Sequence, residues 1–145
     1  MALHMIKLAV GVETLADFAL RHEAEATDYD GVLAVPCWTR FRARRAEEIL
    51  SGGGSLYRVI KNRIQCRMKI LGFEMVETAD KGTRCMILQS PDIIQTVSVA
   101  RRPFQGWRYL EEKDVPPDRG LYIRGQEAED IPPEMEADLR ESGLL

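Results

Sequence analysis

Hydrophobic and polar residues alternate along several short segments of this chain, and in two other segments the apolar residues recur at helical spacing. Alternation is typical of a half-buried strand, whereas apolar residues three and four positions apart are typical of an amphipathic helix. The first half of the chain therefore predicts strands at residues 3–10, 32–38, 56–61 and 64–73 or beyond, and helices at residues 13–26 and 42–50. Pro36 predicts that the second strand lies at an edge or ends there, because proline has no backbone N–H to donate.

The second half of the chain predicts strands at residues 83–89 and 95–99, a loop leading into a strand at 101–110, and a short helix at 134–141. Strands in the middle with helices toward the ends indicate an α+β fold. We expect a bent, mostly antiparallel sheet or small pseudo-barrel with two or three flanking helices. It would form a single domain over residues 1–120. An acidic, proline-containing extension over 121–145 would pack on that domain.

The hairpin over residues 55–70 interleaves basic and apolar side chains. If Asn62 and Arg63 form a two-residue turn, Arg58 lies directly opposite Arg67, and Lys69 lies one step further on the same face. The other face is then a core stripe of Tyr57, Val59, Ile64, Cys66, Met68 and Ile70. Like charges opposite each other destabilise a sheet. The arginines therefore either extend into water or hold an anion, and a longer turn would shift the register.

The net charge is only −3, but it is distributed unevenly. Residues 36–70 carry nine basic and two acidic side chains, a net charge of +7, whereas residues 1–35 have a net charge of −4 and residues 111–145 of −7. Either the acidic ends pair with the basic middle, or the middle forms a basic face that attracts a polyanion.

A second basic segment, RRPFQGWRYL at residues 101–110, places three arginines and three aromatic residues within ten positions. Aromatic rings and guanidinium groups can stack on nucleobases, and arginines can hold phosphates. Phe104 and Trp107 could equally anchor the loop on the core, because large aromatic side chains are usually buried at least in part.

The composition argues against several classes of protein. Three cysteines without a CxxC spacing and only two histidines disfavour a disulfide framework or a metal site, so we expect no metal and no cofactor. Residues 52–54 are glycines that follow a predicted helix, which is the wrong context for a phosphate-binding loop. No apolar run reaches the length of a membrane span and no signal peptide is recognisable, so we expect a soluble, cytoplasmic protein.

Three segments together resemble an uncharacterised proteobacterial family known only as a domain of unknown function. They are MALHMIKLAVGVE, GGSLYRVIKNRIQCR and RRPFQGWRYL, and the resemblance covers about residues 1–120. It implies no activity. This chain has Arg58 where the family pattern has tryptophan and Asn62 where it has glycine, so an Arg58–Arg67 pair would be particular to this member.

The hairpin is also similar, more weakly, to the strand–turn–strand of PUA and ASCH domains, which are small RNA-associated barrels. The matching positions are Tyr57, Val59, Lys61, Ile64, Ile70 and Glu74. The likeness implies binding of RNA or a modified base in a groove near the helix, although fold analogy alone does not establish a function.

We therefore expect a small bacterial binding module for RNA or another phosphate-rich ligand. The expected nucleic-acid-binding residues are Arg40, Arg42, Arg45, Arg58, Lys61, Arg67, Lys69, Arg101, Arg102, Gln105, Trp107 and Arg108. Five of them, Arg58, Arg67, Lys69, Arg102 and Trp107, should converge on one concave surface.

Two alternatives remain open. One is a small enzyme acting on a nucleotide-like or anionic substrate in the same groove; its polar parts would be Tyr57, Lys61, Arg67 and Gln105. The other is a protein-interaction domain, or a homodimer, that uses the basic face.

Overall fold

The computed structural model describes residues 2–124, and the elements below belong to that range. In chain order they are β1 (Leu3–Leu8), α1 (Leu15–Ala24), β2 (Thr27–Tyr29), β3 (Val32–Thr39), α2 (Ala46–Ser51), β4 (Ser55–Ile60), β5 (Arg63–Thr78), β6 (Gly82–Gln89), β7 (Ile94–Ala100), β8 (Trp107–Glu111), a 3-10 helix (Glu112–Asp114) and β9 (Asp118–Leu121). The predicted strands and helices in this range are present with shifted ends, and β2, the 3-10 helix and β9 are additional. The helix predicted at 134–141 lies outside the described residues.

The strands form one open, mixed sheet in the order β2-β3-β6-β5-β4-β1-β8, with β7 paired to β5 and β9 paired to β7. The β1–β4 pair is parallel, and the other described pairs are antiparallel. The long strand β5 pairs with β4 and β7 along its first part and with β6 along its second, with a register shift between Ile70 and Gly72. Such an irregularity bends a strand. The predicted α+β fold with a bent, mostly antiparallel sheet is confirmed.

Pro36 lies inside β3, which runs on to Thr39. β2 pairs with β3 only as far as Ala34, so at Pro36 the described partner of β3 is β6 alone. The missing N–H of proline therefore falls where β3 is an edge, as predicted.

β4 is the centre of the core, and all six of its residues are buried. On one face, Leu56 packs with residues of α2, and Ile60 packs with residues of α1. On the other face, Tyr57 and Val59 pack against Leu110 of β8. Because both faces are covered, β4 carries no solvent-facing position.

The turn between β4 and β5 consists of Lys61 and Asn62, not of Asn62 and Arg63. Both residues have positive φ, 52° and 63°. Positive φ at both central positions is the conformation of a type I′ hairpin turn, which matches the twist of the flanking strands. The turn therefore begins one residue earlier than predicted.

This turn and a bulge after Arg58 change the register of the hairpin. Arg58 lies opposite Cys66, and Tyr57 lies opposite Arg67. The predicted pairing of Arg58 with Arg67 is therefore wrong, and the two arginines belong to opposite faces of the sheet.

The residues predicted as one core stripe are all buried, but they do not share a face. Tyr57, Val59 and Ile64 form one cluster, and Cys66, Met68 and Ile70 lie in the clusters on the helical side. Burial was predictable from their apolar character, whereas the face depended on the register.

Two of the three glycines after α2 occupy positions where the backbone geometry favours glycine. Gly53 has a φ of 71°, the left-handed conformation that commonly ends a helix. A Cβ atom on Gly54 would lie 2.1 Å from the carbonyl oxygen of Leu3 and 2.9 Å from a side-chain carbon of Ile49. Gly54 therefore allows the end of α2 to approach β1 closely.

The predicted domain boundary at residue 120 falls inside β9. β9 pairs with β7, and the next residue, Tyr122, donates its backbone N–H to the carbonyl of Ile93 at 2.7 Å. Of the helices described over residues 2–124, none has the length and apolar character needed to cross a membrane.

Candidate functional site

Residues from β1, β3, β6 and β8 line an open groove of about 460 Å³, here termed the β3–β8 groove. Its lining residues are Lys7, Trp38, Thr39, Arg40, Phe41, Arg84, Gln105, Gly106, Trp107 and Arg108. They are basic, aromatic or uncharged, and none is acidic.

Strand pairing brings these residues together from distant parts of the chain. Lys7 on β1 lies opposite Trp107 on β8, and Trp38 on β3 lies opposite Met86 on β6. The Trp107 ring is held edge-on against Tyr109, with 4.8 Å between ring centroids. The sheet therefore fixes one wall of the groove.

Two further aromatic side chains of the groove are open to solvent. Phe41 is 69% exposed and Trp38 is 37% exposed. The Arg40 guanidinium lies 5.2 Å from the centroid of the Phe41 ring. Exposed large apolar residues grouped with cations are typical of binding surfaces.

The cations that line the groove form no ion pairs with carboxylates of the described residues. Within residues 2–124, no carboxylate forms an ion pair with Lys7, Arg40, Arg84 or Arg108. Arg108 is held by two backbone carbonyls, at 3.0 and 3.1 Å, and its guanidinium lies 5.1 Å from the Phe104 ring centroid. The groove is therefore a concentration of positive charge.

Three other cations of the predicted site form intramolecular ion pairs at the surface. The pairs are Arg42–Glu47 at 2.7 Å, Arg45–Glu48 at 2.7 Å and Lys61–Glu13 at 2.6 Å. The hydrogen bonds from Arg45 lower the pKa of the Glu48 carboxyl. These exposed pairs reduce the positive potential that their cations present to a ligand.

Arg67 lies on the face of the sheet that carries Tyr57, whereas Trp107 packs on the opposite, helical side. Its Nε and Nη2 donate to the two carboxylate oxygens of Asp118 at 2.8 and 2.7 Å, and its Nη1 donates to Ser55 Oγ at 2.8 Å. These hydrogen bonds raise the pKa of Arg67 and lower that of Asp118. Arg67 therefore joins β5 to β9.

Arg58 lines a second cavity, of about 260 Å³, here termed the Arg58 cavity. Its lining residues are Lys7, Leu8, Val10, Phe18, Arg21, His22, Glu25, Val35, Pro36, Cys37, Trp38, Arg58 and Gln89. Lys7 and Trp38 also line the β3–β8 groove, so the two sites adjoin.

His22 of α1 is buried on one side of this cavity. Its Nε2 donates to the carbonyl of Ser90 at 2.9 Å, and its ring stacks on Phe18 with 5.5 Å between centroids. Desolvation lowers the pKa of His22, and the charges of Arg58 and Arg21 lower it further. The neutral imidazole is therefore favoured.

The structure brings together four of the twelve predicted binding residues in the β3–β8 groove: Arg40, Gln105, Trp107 and Arg108. Arg101 lies over the Phe104 ring instead, at 5.5 Å, and Arg102 is exposed in the loop before β8. Lys69 is exposed on β5, opposite Ser55.

The predicted convergence of Arg58, Arg67, Lys69, Arg102 and Trp107 on one surface is wrong. Arg58 is buried, and Arg67 and Lys69 lie on the other face of the sheet. The groups are separated because the hairpin register places neighbouring arginines on opposite faces.

Sequence reasoning missed four charged or aromatic residues of the groove: Lys7, Trp38, Phe41 and Arg84. Two of them stand in the segment Trp38-Thr39-Arg40-Phe41-Arg42, which interleaves arginines and aromatics as residues 101–110 do. The same criterion would have found them. Lys7 and Arg84 carry no such local signal.

The residues proposed for an enzyme do not form one site. Lys61 pairs with Glu13, Gln105 lies in the groove, and Tyr57 and Arg67 lie on the far face of the sheet. Burial raises the pKa of Tyr57 to about 12. Burial also raises the pKa of Cys66 to about 12, which disfavours a reactive thiolate there. No group of three or more potential metal ligands occurs among residues 2–124.

Fold and site together define an α+β protein with an open mixed sheet and a basic, aromatic groove across one end of it. A family described as "Protein of unknown function (DUF1489)" matches residues 5–145, so the chain belongs to this family. The match covers residues 5–13 of the first segment and all of the other two segments whose motifs indicated a family of unknown function. No curated protein and no solved structure matches the chain.

Proposed function

We propose that this protein binds single-stranded RNA in the β3–β8 groove. One observation carries the proposal: four cations and three aromatic side chains line a single groove that contains no carboxylate. Elsewhere in the described chain, the cations of the predicted site are largely paired or buried.

Each part of the groove has a role in this proposal. Lys7, Arg40 and Arg84 contact backbone phosphates, which supply most of the affinity of non-specific binding. Bases stack on the exposed rings of Trp38 and Phe41 without regard to sequence, because every base has a π-face. Gln105 is the one residue lining the groove with a side-chain amide, and this amide hydrogen-bonds to the edge of a base.

Salt dependence tests the proposal directly. We expect a labelled single-stranded RNA of about ten nucleotides to bind with an affinity that falls steeply with salt, measured by fluorescence anisotropy. With three or four phosphate contacts, the slope of log K against log salt should be about −2 to −3. Absence of binding at about 50 mM salt would exclude this function.

Single substitutions locate the binding. Arg40→Ala and Arg84→Ala should each make the slope shallower by about 0.7, the contribution of one phosphate on a single strand. Phe41→Ala should weaken binding by about 5- to 100-fold through lost stacking, and its exposed ring should make it neutral for folding. The matched control is Arg45→Ala, which removes a cation already paired with Glu48. If Arg45→Ala weakens binding as much as Arg40→Ala, the groove is not the binding surface.

A further inference from the structure

Arg58 is a buried arginine without a carboxylate partner. It is 6% exposed, and among residues 2–124 no acidic side chain forms an ion pair with it. Its Nη2 donates to the carbonyl of Leu8 at 3.3 Å, and its Nη1 lies 4.0 Å from Cys37 Sγ, a weak acceptor. Its Nε–H has no acceptor. An uncompensated buried charge is strongly destabilising, so this arrangement requires an explanation.

A second guanidinium contacts the same aromatic ring and lines the same cavity. Arg58 and Arg21 lie 5.2 and 5.6 Å from the centroid of the same Phe18 ring. Arg21 donates to the carbonyl of Val10 and forms no ion pair among the described residues. The ring offsets part of the cost of the two charges. It supplies no hydrogen-bond acceptor for either guanidinium.

Both cations line the Arg58 cavity together with Lys7, and Glu25 is the one acid that lines it. With His22 neutral, as burial favours, the lining carries three positive charges and one negative charge. The net charge of +2 matches a phosphate monoester, which carries about −1.5 to −2 at pH 7.

The remaining lining of the cavity suits the organic part of such a ligand. Trp38 offers a partly exposed ring surface, and the buried side chain of Gln89 has an amide oxygen without a hydrogen-bond donor. Arg58 Nε and Gln89 Oε1 are the two buried side-chain atoms of the described chain without a partner, and both residues line this cavity.

We propose that the Arg58 cavity binds a phosphate monoester of about the size of a nucleoside monophosphate. Arg58 and Arg21 hold the phosphate oxygens, and Trp38 flanks the attached ring. The monoester is either a free nucleotide or the phosphorylated end of a strand in the adjoining groove. The cavity does not depend on RNA binding, because a free nucleotide can occupy it alone.

Calorimetry with adenosine 5′-monophosphate, inorganic phosphate and adenosine tests the chemistry at constant ionic strength. The wild-type protein should bind adenosine monophosphate, bind inorganic phosphate more weakly, and not bind adenosine. Arg58→Met should reduce the affinity for the monophosphate by about 10- to 100-fold, as expected for loss of hydrogen bonds from a charged group. Arg58→Lys should retain part of it. No heat of binding with either phosphate, or an unchanged affinity in Arg58→Met, would overturn the proposal.

The melting temperature of Arg58→Met distinguishes ligand binding from a structural role of Arg58, because the two roles predict changes of opposite sign. Without ligand, Arg58→Met should melt at the same temperature as the wild type or higher, because an unpaired buried charge has been removed. Adenosine monophosphate should raise the melting temperature of the wild type and not that of the variant. A variant that melts lower and still binds the monophosphate would show that Arg58 is structural. If Arg58→Met does not fold, Arg21→Gln replaces it as the test, because Arg21 is only half-buried. A several-fold loss of affinity for adenosine monophosphate in Arg21→Gln would support the proposal, and an unchanged affinity would overturn it.

Oligonucleotides separate the two sources of the phosphate. A strand with a 5′- or 3′-terminal phosphate should bind more tightly than the same strand with hydroxyl ends if the strand supplies the monoester, and Arg58→Met should abolish the difference. Equal affinity of all three strands, with binding of the free monophosphate retained, assigns the cavity to a free nucleotide. Failure of the hydroxyl strand to bind overturns RNA binding in the groove but leaves the result with the free monophosphate intact.

Discussion

His22 couples protonation of a side chain to the stability of the fold. Its ring is 3% exposed, is stacked on Phe18 and donates to the carbonyl of Ser90. Burial and the nearby arginines lower its pKa below the usual value of 6.5. Between the lowered pKa and 6.5, the unfolded chain binds a proton at this residue that the folded protein does not bind.

The free energy of unfolding should therefore fall as the pH is lowered through 6.5 toward the lowered pKa of His22, by at most about 1.4 kcal/mol per pH unit for this one group. His22→Gln should lack this part of the fall, because glutamine does not titrate and can still donate to Ser90. Urea unfolding of both proteins at several pH values measures it. The difference between the two curves isolates His22 from the other titrating groups, and parallel curves would contradict the lowered pKa of His22.

Arg58 and Arg67 show how differently two arginines of one hairpin can be used. Arg58 is enclosed in the core with weak acceptors, and Arg67 forms three hydrogen bonds at the surface. Both are arginines in neighbouring strands among alternating apolar residues. Their environments differ because their side chains lie on opposite faces of the sheet, and the face is fixed only by the hairpin register.

At the scale of elements, the glycine segment that follows α2 packs closely against β1. The sequence predicted that glycines end this helix, and the left-handed Gly53 confirms it. The close approach at Gly54 was not predictable, because Leu3 is distant in sequence and its carbonyl meets Gly54 only through the parallel β1–β4 pairing.

Gly54→Ala should lower the free energy of unfolding by about 2–3 kcal/mol, because the new methyl group would overlap the Leu3 carbonyl and the Ile49 side chain. Gly52→Ala is the matched control, since its φ is −89° and the nearest atom to an added Cβ, the Glu48 carbonyl oxygen, is 3.3 Å away. It should cost less than about 1 kcal/mol. Denaturant unfolding measures both, and equal costs would show that the contact at Gly54 is relieved by backbone movement.

The β4–β5 turn explains the main error made from the sequence. Asn62–Arg63 and Lys61–Asn62 are both compatible with the alternation of apolar residues, because β4 is buried on both faces and shows no polar face to fix its phase. Lysine also gives no signal for positive φ. The type I′ geometry at Lys61 and the bulge after Arg58 are decided by the neighbouring strands.

At the scale of the whole molecule, acidic residues from both ends of the chain neutralise part of the basic middle. Glu13 pairs with Lys61, and Asp118 pairs with Arg67. Each of the two interpretations of the charge pattern therefore applies to a different region of the surface. Intramolecular pairing accounts for these cations, and the proposed ligand binding concerns the cations of the β3–β8 groove, which lack acidic partners.

The Arg67–Asp118 pair should stabilise the fold without affecting the groove. Arg67 is one of the residues that the sequence predicts to bind RNA. Its two parallel hydrogen bonds to Asp118 now predict a coupling free energy of about 0.5–1 kcal/mol, since the side chains are 25% and 42% exposed and screened by water. A double-mutant cycle with Arg67→Met and Asp118→Asn in denaturant unfolding measures it.

The same variants should bind RNA within about twofold of the wild type, because Arg67 does not line the groove. Arg40→Ala serves as the reverse control, with reduced RNA binding and unchanged stability. A large loss of RNA binding in a stably folded Arg67→Met protein would shift the proposed surface to the other face of the sheet.

The sequence by itself determined the α+β class, most of the described elements and the burial of the apolar residues of the β4–β5 hairpin. Those properties follow from local periodicity and from the tendency of apolar side chains to leave water. Tertiary structure alone decided which arginines are buried, paired or free, and it brought Lys7, Phe41, Arg84 and Trp107 into one groove. The physical reason is that the electrostatic environment of a charge depends on the strand beside it, and the hairpin register here is set by a left-handed turn and a bulge that leave no trace in the hydrophobic pattern.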